Sequence, residues 1–228
     1  MTKNDELIQI WLEDGSAIRD SYQKNIQEEG IDSSKSIGER EDARDLSFFE
    51  GLTNGLRFDR AVSVLDIGCG KGEFISFFLQ RHPNTRLEPY LGIDIVPEFL
   101  ELAQSKYAEF EFKQANFLRP DFGKGEKFDL VIALGVLVTR VRRYEEYLEY
   151  TINKMVEFSS QYVAFNIVTD VIPDSLNYEN SDKVGYTTSL SIDKIENILS
   201  RIRNIDYKIN SQNIFFDATD SFVQIKKR

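Results

Sequence analysis

The chain has 228 residues, is 41% hydrophobic and carries a formal net charge of −10. That apolar content suits a packed core rather than a disordered chain, and the length suits one large domain or one domain with an elaborated end. The acid excess argues against duplex DNA or RNA as a routine partner, because such binders carry a basic footprint. Cys69 is the single cysteine, so no intrachain disulfide is expected. The first residues lack an apolar core of signal-peptide length, and no apolar run approaches the ~20 residues of a membrane helix. A soluble, cytoplasmic protein without a metal site is expected.

The first ~58 residues read as helical and polar. Leu7, Ile8 and Trp11 share a helical face, as do Ile18, Tyr22 and Ile26, and as do Leu46, Phe49, Leu52 and Leu56. A glycine- and serine-rich connection, 30–38, lies between the second and third stripes. From Ala61 short apolar strands alternate with amphipathic helices, the pattern of a parallel sheet covered on both faces. The first strand is placed at 62–67 and its helix at 71–80, with Phe74, Ile75 and Phe78 inward. The second strand is 89–94, and Pro97 opens the next helix. Strands follow at 110–115 and 128–134, then a long helix at 143–157 and a fifth strand at 162–168. A loop of about 20 residues holding Pro173, Tyr178 and Tyr186 comes next, a length that points to function. Ser191 is placed as the cap of a last helix. Strands at 205–215 and 220–227 close the chain as an antiparallel hairpin.

The most specific stretch is Val62-Ser63-Val64-Leu65-Asp66-Ile67-Gly68-Cys69-Gly70-Lys71-Gly72. An apolar strand ends on an acid, and three glycines at alternate positions permit a sharp turn into a helix. A second acid, Asp94, stands 28 residues on at the end of another strand. This spacing resembles the first motif of class I S-adenosylmethionine-dependent methyltransferases. The resemblance extends through Gln114-Ala115-Asn116-Phe117 and the strand Phe128-Asp129-Leu130-Val131-Ile132-Ala133-Leu134. It covers 62–168 by motif and continues to 228 by topology only. It implies an α/β fold with a Rossmann-like seven-stranded sheet, order 3-2-1-4-5-7-6, the last strand antiparallel. Residues 1–58 would form a helical lid over donor and acceptor, and 59–228 the domain that binds S-adenosylmethionine.

The same resemblance assigns roles. Gly68, Cys69, Gly70 and Gly72 would pass beneath the amino acid end of the donor, with backbone N–H groups at the helix start near Lys71 toward its carboxylate. Asp66 would receive the amino group, and Asp94 the ribose diol. Ile95 would flank the adenine, Asn116 and Phe117 would read its edge, and Leu134 would border the methyl group. The usual aspartate of the third motif is absent, but the Asn116 side-chain oxygen can accept the same bond. A nicotinamide- or flavin-binding fold is the competitor. Its G-x-G-x-x-G fingerprint would need a third glycine at position 73, where Glu73 stands. A non-catalytic binding module of methyltransferase fold is a further alternative.

On the acceptor side, the only histidine, His82, lies in a turn at the far end of the sheet and is a poor base. Asn166 and Asp170, at the end of the fifth strand, are the candidate catalytic residues, although Asn166 could equally tie down a loop. Arg140, Arg142 and Arg143 form a basic cluster past the fourth strand, and Arg140 and Arg143 are candidates for holding an acceptor's carboxylate or phosphate. Tyr22, Tyr178 and Tyr186 are candidate walls of the acceptor pocket. The reaction expected is methyl transfer to an oxygen or nitrogen of a small or medium acceptor: a specialised metabolite, a saccharide or a peptide.

Overall fold

The computed structural model describes residues 2–37, 47–59, 61–123 and 125–228. Leu46 of the third apolar stripe and Gly38 of the connection lie outside them. The elements run α1 (Lys3–Glu29), a 3-10 turn (Ser34–Ile37), α2 (Ser47–Thr53), β1 (Ala61–Ile67), α3 (Glu73–Arg81), β2 (Arg86–Asp94), α4 (Pro97–Lys106) and β3 (Glu111–Gln114). They continue with β4 (Phe128–Ala133), α5 (Tyr144–Phe158), β5 (Ser159–Val171), α6 (Ile192–Ser200), β6 (Ile205–Phe215) and β7 (Ala218–Lys227).

The seven strands form one sheet in the order β3-β2-β1-β4-β5-β7-β6. β1 to β5 pair in parallel, and β7 runs antiparallel to both β5 and β6. The near-continuous apolar runs of β1 and β4 are what a strand buried on both faces requires. One face packs Leu65, Val131 and Phe165 against α5, α6 and the first half of α1; the other packs Val64, Ile132 and Phe222 against α2 and α3. Asp129 ties three strands at their start. Its carboxylate accepts from the Ser63 N–H at 3.0 Å, the Ser160 hydroxyl at 2.8 Å and the Gln161 amide at 3.0 Å.

Several elements differ from their sequence placement; β2, for one, starts three residues earlier, at Arg86. α3 begins at Glu73 rather than near Lys71, because Gly70 and Gly72 take φ of 53° and 82° and keep the chain out of the right-handed helix. β5 is longer at both ends, since Asp170 and Val171 still pair with Thr219 and Ala218 of β7. Ser191 is the N-cap of α6 but makes no side-chain capping bond; its carbonyl accepts from the N–H groups of Lys194 and Ile195.

α1 is a single 27-residue helix carrying both of the first two apolar stripes. Thr2 and Asp5 close a capping box at its start, and Gly30 ends it at φ 82°. At about 1.5 Å per residue it is about 40 Å long, and it touches α5 near one end and α4 near the other. Trp11 packs edge-on against Tyr147 and tilted against Tyr150, and its indole N–H donates to the Arg142 carbonyl at 2.8 Å. Gln23 donates to Glu98 of α4 at 2.8 Å. The helix therefore lies across the carboxyl ends of the parallel strands, where open α/β sheets bind ligands.

Candidate functional site

A cavity of about 490 Å³ opens beyond the ends of β1, β2, β4 and β5. Asp66, Gly68, Cys69, Gly70, Asp94, Ile95, Asn116, Phe117, Leu134 and Asn166 all line it, with Tyr22 and Tyr178. Residues from seven separate stretches of sequence therefore meet in one space. α1 closes one side with Trp11, Gly15 and Ile18, and α2 and β6 add Phe48, Phe49 and Phe215.

The glycine loop folds over the end of β2. The Gly68 and Cys69 N–H groups both donate to the Ile93 carbonyl, at 2.8 and 3.0 Å. Gly68 sits at φ 69°, and a Cβ there would lie 2.4 Å from Cγ2 of Val136. Two carboxylates then bind the loop's backbone. Asp94 accepts from the Gly70 N–H at 3.0 Å and the Val96 N–H at 2.9 Å, and Glu73 accepts from the Lys71 N–H at 3.0 Å. The Lys71 ammonium points away, to the Ser33 carbonyl at 2.8 Å. Gly72 faces away from the cavity; a Cβ there would press on Tyr107 at 2.9 Å. It shapes the start of α3.

Asp66 is 5% exposed and accepts from the Tyr90 hydroxyl at 2.8 Å. Burial pushes its carboxyl up to about 7; the Tyr90 bond opposes this, and the charges of Glu73 and Asp94 add to it. Burial also raises Asp94, against three backbone N–H bonds that hold it down. The Cys69 thiol is pushed well up by burial and by the neighbouring acids, so it is a neutral wall of the cavity. Tyr22 packs edge-on against Phe99 at 6.0 Å, and burial together with the Asp94 charge raises its phenol to about 12. Tyr22 thus stands on the Asp94 side of the cavity.

Asn116 turns its side-chain oxygen back to the Leu118 N–H at 3.0 Å, and its amide nitrogen faces α1, where a Cβ on Gly15 would be 2.9 Å away. Asn166 is 3% exposed and accepts from the Gly135 N–H at 2.8 Å. That bond resolves the cost of an amide inside an apolar strand and holds the loop after β4. Tyr178 reaches the cavity from a 3-10 turn, Leu176–Tyr178, inside the long loop after β5. This loop runs antiparallel to the one after β4, joined by the Arg140 N–H to Tyr186 carbonyl bond at 2.8 Å and the Thr188 N–H to Val138 carbonyl bond at 2.8 Å.

Besides Gly72, four expected site residues lie outside the cavity lining. Asp170 is exposed at the end of β5. Tyr186 is 51% exposed and enters the loop pairing through its backbone. The Arg140 guanidinium lies over the Tyr144 ring at 5.4 Å. Arg143 caps α5 at φ 56° and pairs with Glu146. The third arginine, Arg142, binds α1: Asp14, 4% exposed, accepts from its backbone N–H and from its Nε, each at 2.7 Å. The cluster read as acceptor-binding is thus engaged by the protein itself.

Two acids of the lining were not among the expected site residues. Asp220 of β7 is 3% exposed and lines the cavity beside Asn166 and Val168. Its signal was an acid in the apolar run Ser221-Phe222-Val223. Glu73 carried a signal only as a missing glycine. Among the described residues no three His, Cys, Asp or Glu side chains are placed to hold a metal ion, and no helix is long and apolar enough to cross a membrane.

This sheet order, with a carboxylate-lined cavity at the glycine turn after β1, defines a class I methyltransferase fold. The comparisons agree. Plantazolicin methyltransferase BpumL, solved with a pentazolic desmethylPZN analog and S-adenosylhomocysteine, superposes with a TM-score of 0.62 at 17% identity, over 99% of this chain and 100% of that one. Magnesium protoporphyrin IX methyltransferase from Synechocystis PCC 6803, with bound S-adenosylmethionine, superposes at 0.61 and 17% identity, over 94% and 97% of the two chains. A malonyl-acyl-carrier protein O-methyltransferase of Acetivibrio thermocellus is 29% identical over 96 residues, 42% of this chain and 31% of that protein. The chain matches only about a third of that curated relative. The model of the methyltransferase domain family matches residues 58–182, and the chain belongs to that family. The matched family is one of methyltransferase domains rather than dinucleotide-binding folds, and both solved neighbours hold S-adenosylmethionine or S-adenosylhomocysteine. The lining suits such a donor: Asp66, Glu73 and Asp94 offer carboxyl groups that a cationic ligand could meet, and the bare backbone at Gly68 leaves space that a side chain would fill.

Proposed function

We propose that the protein methylates an oxygen or nitrogen of a small or medium acceptor, a specialised metabolite, saccharide or peptide. The observation that carries this reading is that one cavity joins the glycine loop to Asn166, Val168, Asp220 and Tyr178. S-adenosylmethionine brings a methyl group already activated on a sulfonium, so the chain's task is to bind, align and exclude water. On this reading Asp66 holds the donor's amino group, and the backbone of Gly68, Cys69 and Gly70 lies beneath its amino acid end. Asp94 holds the ribose diol. Ile95, Asn116 and Phe117 enclose the adenine, and Leu134 borders the reacting centre. Asn166 acts as a positioning residue by holding Gly135. Asp220 and Tyr178 face the acceptor, and α1 with α2 forms the lid. A cytoplasmic location goes with a single, buried, free cysteine.

The test is transfer of a radiolabelled methyl group to a panel of amine-, hydroxyl- and peptide-bearing acceptors, with wild type beside Gly68→Arg. Turnover of at least one acceptor that is lost in Gly68→Arg supports the placement. Equal labelling by the two proteins sinks it.

A further inference from the structure

We propose that Tyr90 is a positioning residue for donor capture: its phenol holds the Asp66 carboxylate inside a cluster of three acids, so that binding a cationic donor expels a proton from that cluster. This rests on the reading of Asp66 as the partner of the donor's amino group.

The geometry begins in the strand register. Val64 of β1 lies opposite Tyr90 of β2, and Asp66 lies opposite Gly92. Paired residues of neighbouring strands share a face, so Tyr90 and Asp66 are diagonal neighbours on one side of the sheet. Gly92 has no side chain to stand between them. A Cβ there would meet Phe112 at 2.8 Å and the Cys69 sulfur at 2.9 Å. Tyr90 is 3% exposed and stands edge-on to Phe110 and Phe112, which fix its ring. Its hydroxyl therefore reaches Asp66 from a rigid wall, at 2.8 Å.

The groups facing Asp66 are nearly all acids or neutral donors. β2 presents Tyr90 and Asp94, the glycine loop presents Cys69, and α3 presents Glu73. On β4 the residue opposite is Ile132. α1 adds Tyr22, which faces Asp94. A buried carboxylate beside two others is costly to ionise, and a neutral phenol offsets only part of that cost. The balance leaves Asp66 near its half-titration at neutral pH. A cationic amino group then favours the ionised form, and the proton goes to solvent.

Calorimetry with S-adenosylhomocysteine, in buffers of different ionisation enthalpy, reads the released protons directly. Wild type is expected to release about half a proton per ligand at pH 7, and its affinity to fall about tenfold from pH 8 to pH 6. Tyr90→Phe keeps the ring and loses the bond. Its affinity profile should move upward by about one pH unit, with weaker binding at pH 7 that recovers at alkaline pH. A purely structural role would weaken binding equally at every pH. Coincident profiles for wild type and Tyr90→Phe, or no proton release by wild type at pH 7, overturn the proposal. Asp66→Asn separates the two readings. If it binds the ligand as wild type does, the assignment of Asp66 itself fails. If it binds weakly while wild type releases no proton, only the proton linkage fails.

Discussion

Asp14→Ala probes how α1 is held over the cavity. The Asp14 carboxylate takes two bonds from Arg142, one from the backbone N–H and one from Nε, each 2.7 Å long. The substitution removes both and leaves the Arg142 N–H without its carboxylate. A hydrogen bond to a charged group is worth about 1.5–3 kcal/mol, and an orphaned buried donor costs about 1–3 kcal/mol. The Arg142 side chain is 49% exposed and rehydrates, so the loss is expected at about 2–4 kcal/mol. Trp11 still anchors the helix, because a buried indole covers about 200 Å² and contributes about 5 kcal/mol at 25 cal/mol per Å². α1 should therefore remain docked but open more often, by about a hundredfold for about 3 kcal/mol. Trp11 is the only tryptophan and reports this directly. Acrylamide quenching of its emission and hydrogen exchange along α1 should both rise, while amides of β1 and β4 keep their protection. Affinity for S-adenosylhomocysteine should fall. Glu13→Ala, which removes only an exposed partner at 3.1 Å, is the control and should leave exchange along α1 close to wild type. Unchanged exchange along α1 in Asp14→Ala would refute the view that this pair latches the helix.

Other substitutions test the site from different sides. Gly68→Ala forces a side chain into the left-handed region, at about 1–2 kcal/mol, and drives its Cβ to within 2.4 Å of Val136. Affinity for S-adenosylhomocysteine should drop at least about tenfold, and Val136→Ala should restore part of it; a full loss without any rescue would argue against the steric account. Asn166→Leu deletes the acceptor of the Gly135 N–H and should lower the urea midpoint by an equivalent of about 1–3 kcal/mol; an unchanged midpoint would show that the loop after β4 does not depend on it. The ligand-free protein should also lose stability as pH rises through about 7. Folded Asp66 keeps its proton to higher pH than an unfolded aspartate does, so its contribution is fully present only at acid pH. Thermal melts of Asp66→Asn should lack this slope; a slope equal to wild type would assign the titration elsewhere.

Much of this protein is legible in its sequence, for identifiable reasons. A strand buried on both faces must be a continuous apolar run, so β1 and β4 announce themselves. A turn that leaves bare backbone at φ near 70° selects glycine, so Gly68 and Gly70 are readable without coordinates. The acids Asp66 and Asp94 stand out because they end apolar strands. Contacts that join distant segments carry no such local signal. Arg142 looks like any exposed arginine until Asp14, 128 residues earlier, is found beneath it. Asp170 is close to Asn166 in sequence yet exposed, because β5 continues past Asn166 in its pairing with β7 and carries Asp170 beyond the cavity. Asp220 is drawn into the lining by the same antiparallel pairing.

The sequence by itself determined the half of the cavity that we propose holds the donor. That half is built from two strand ends and one tight turn, whose residue types follow from local backbone geometry and burial. The tertiary structure alone decided what surrounds it: α1 laid across the strand ends, the arginine cluster engaged by the protein, and Tyr90 reaching Asp66 over a glycine on the neighbouring strand. Those arrangements depend on register and packing between segments far apart in the chain, which no local pattern encodes.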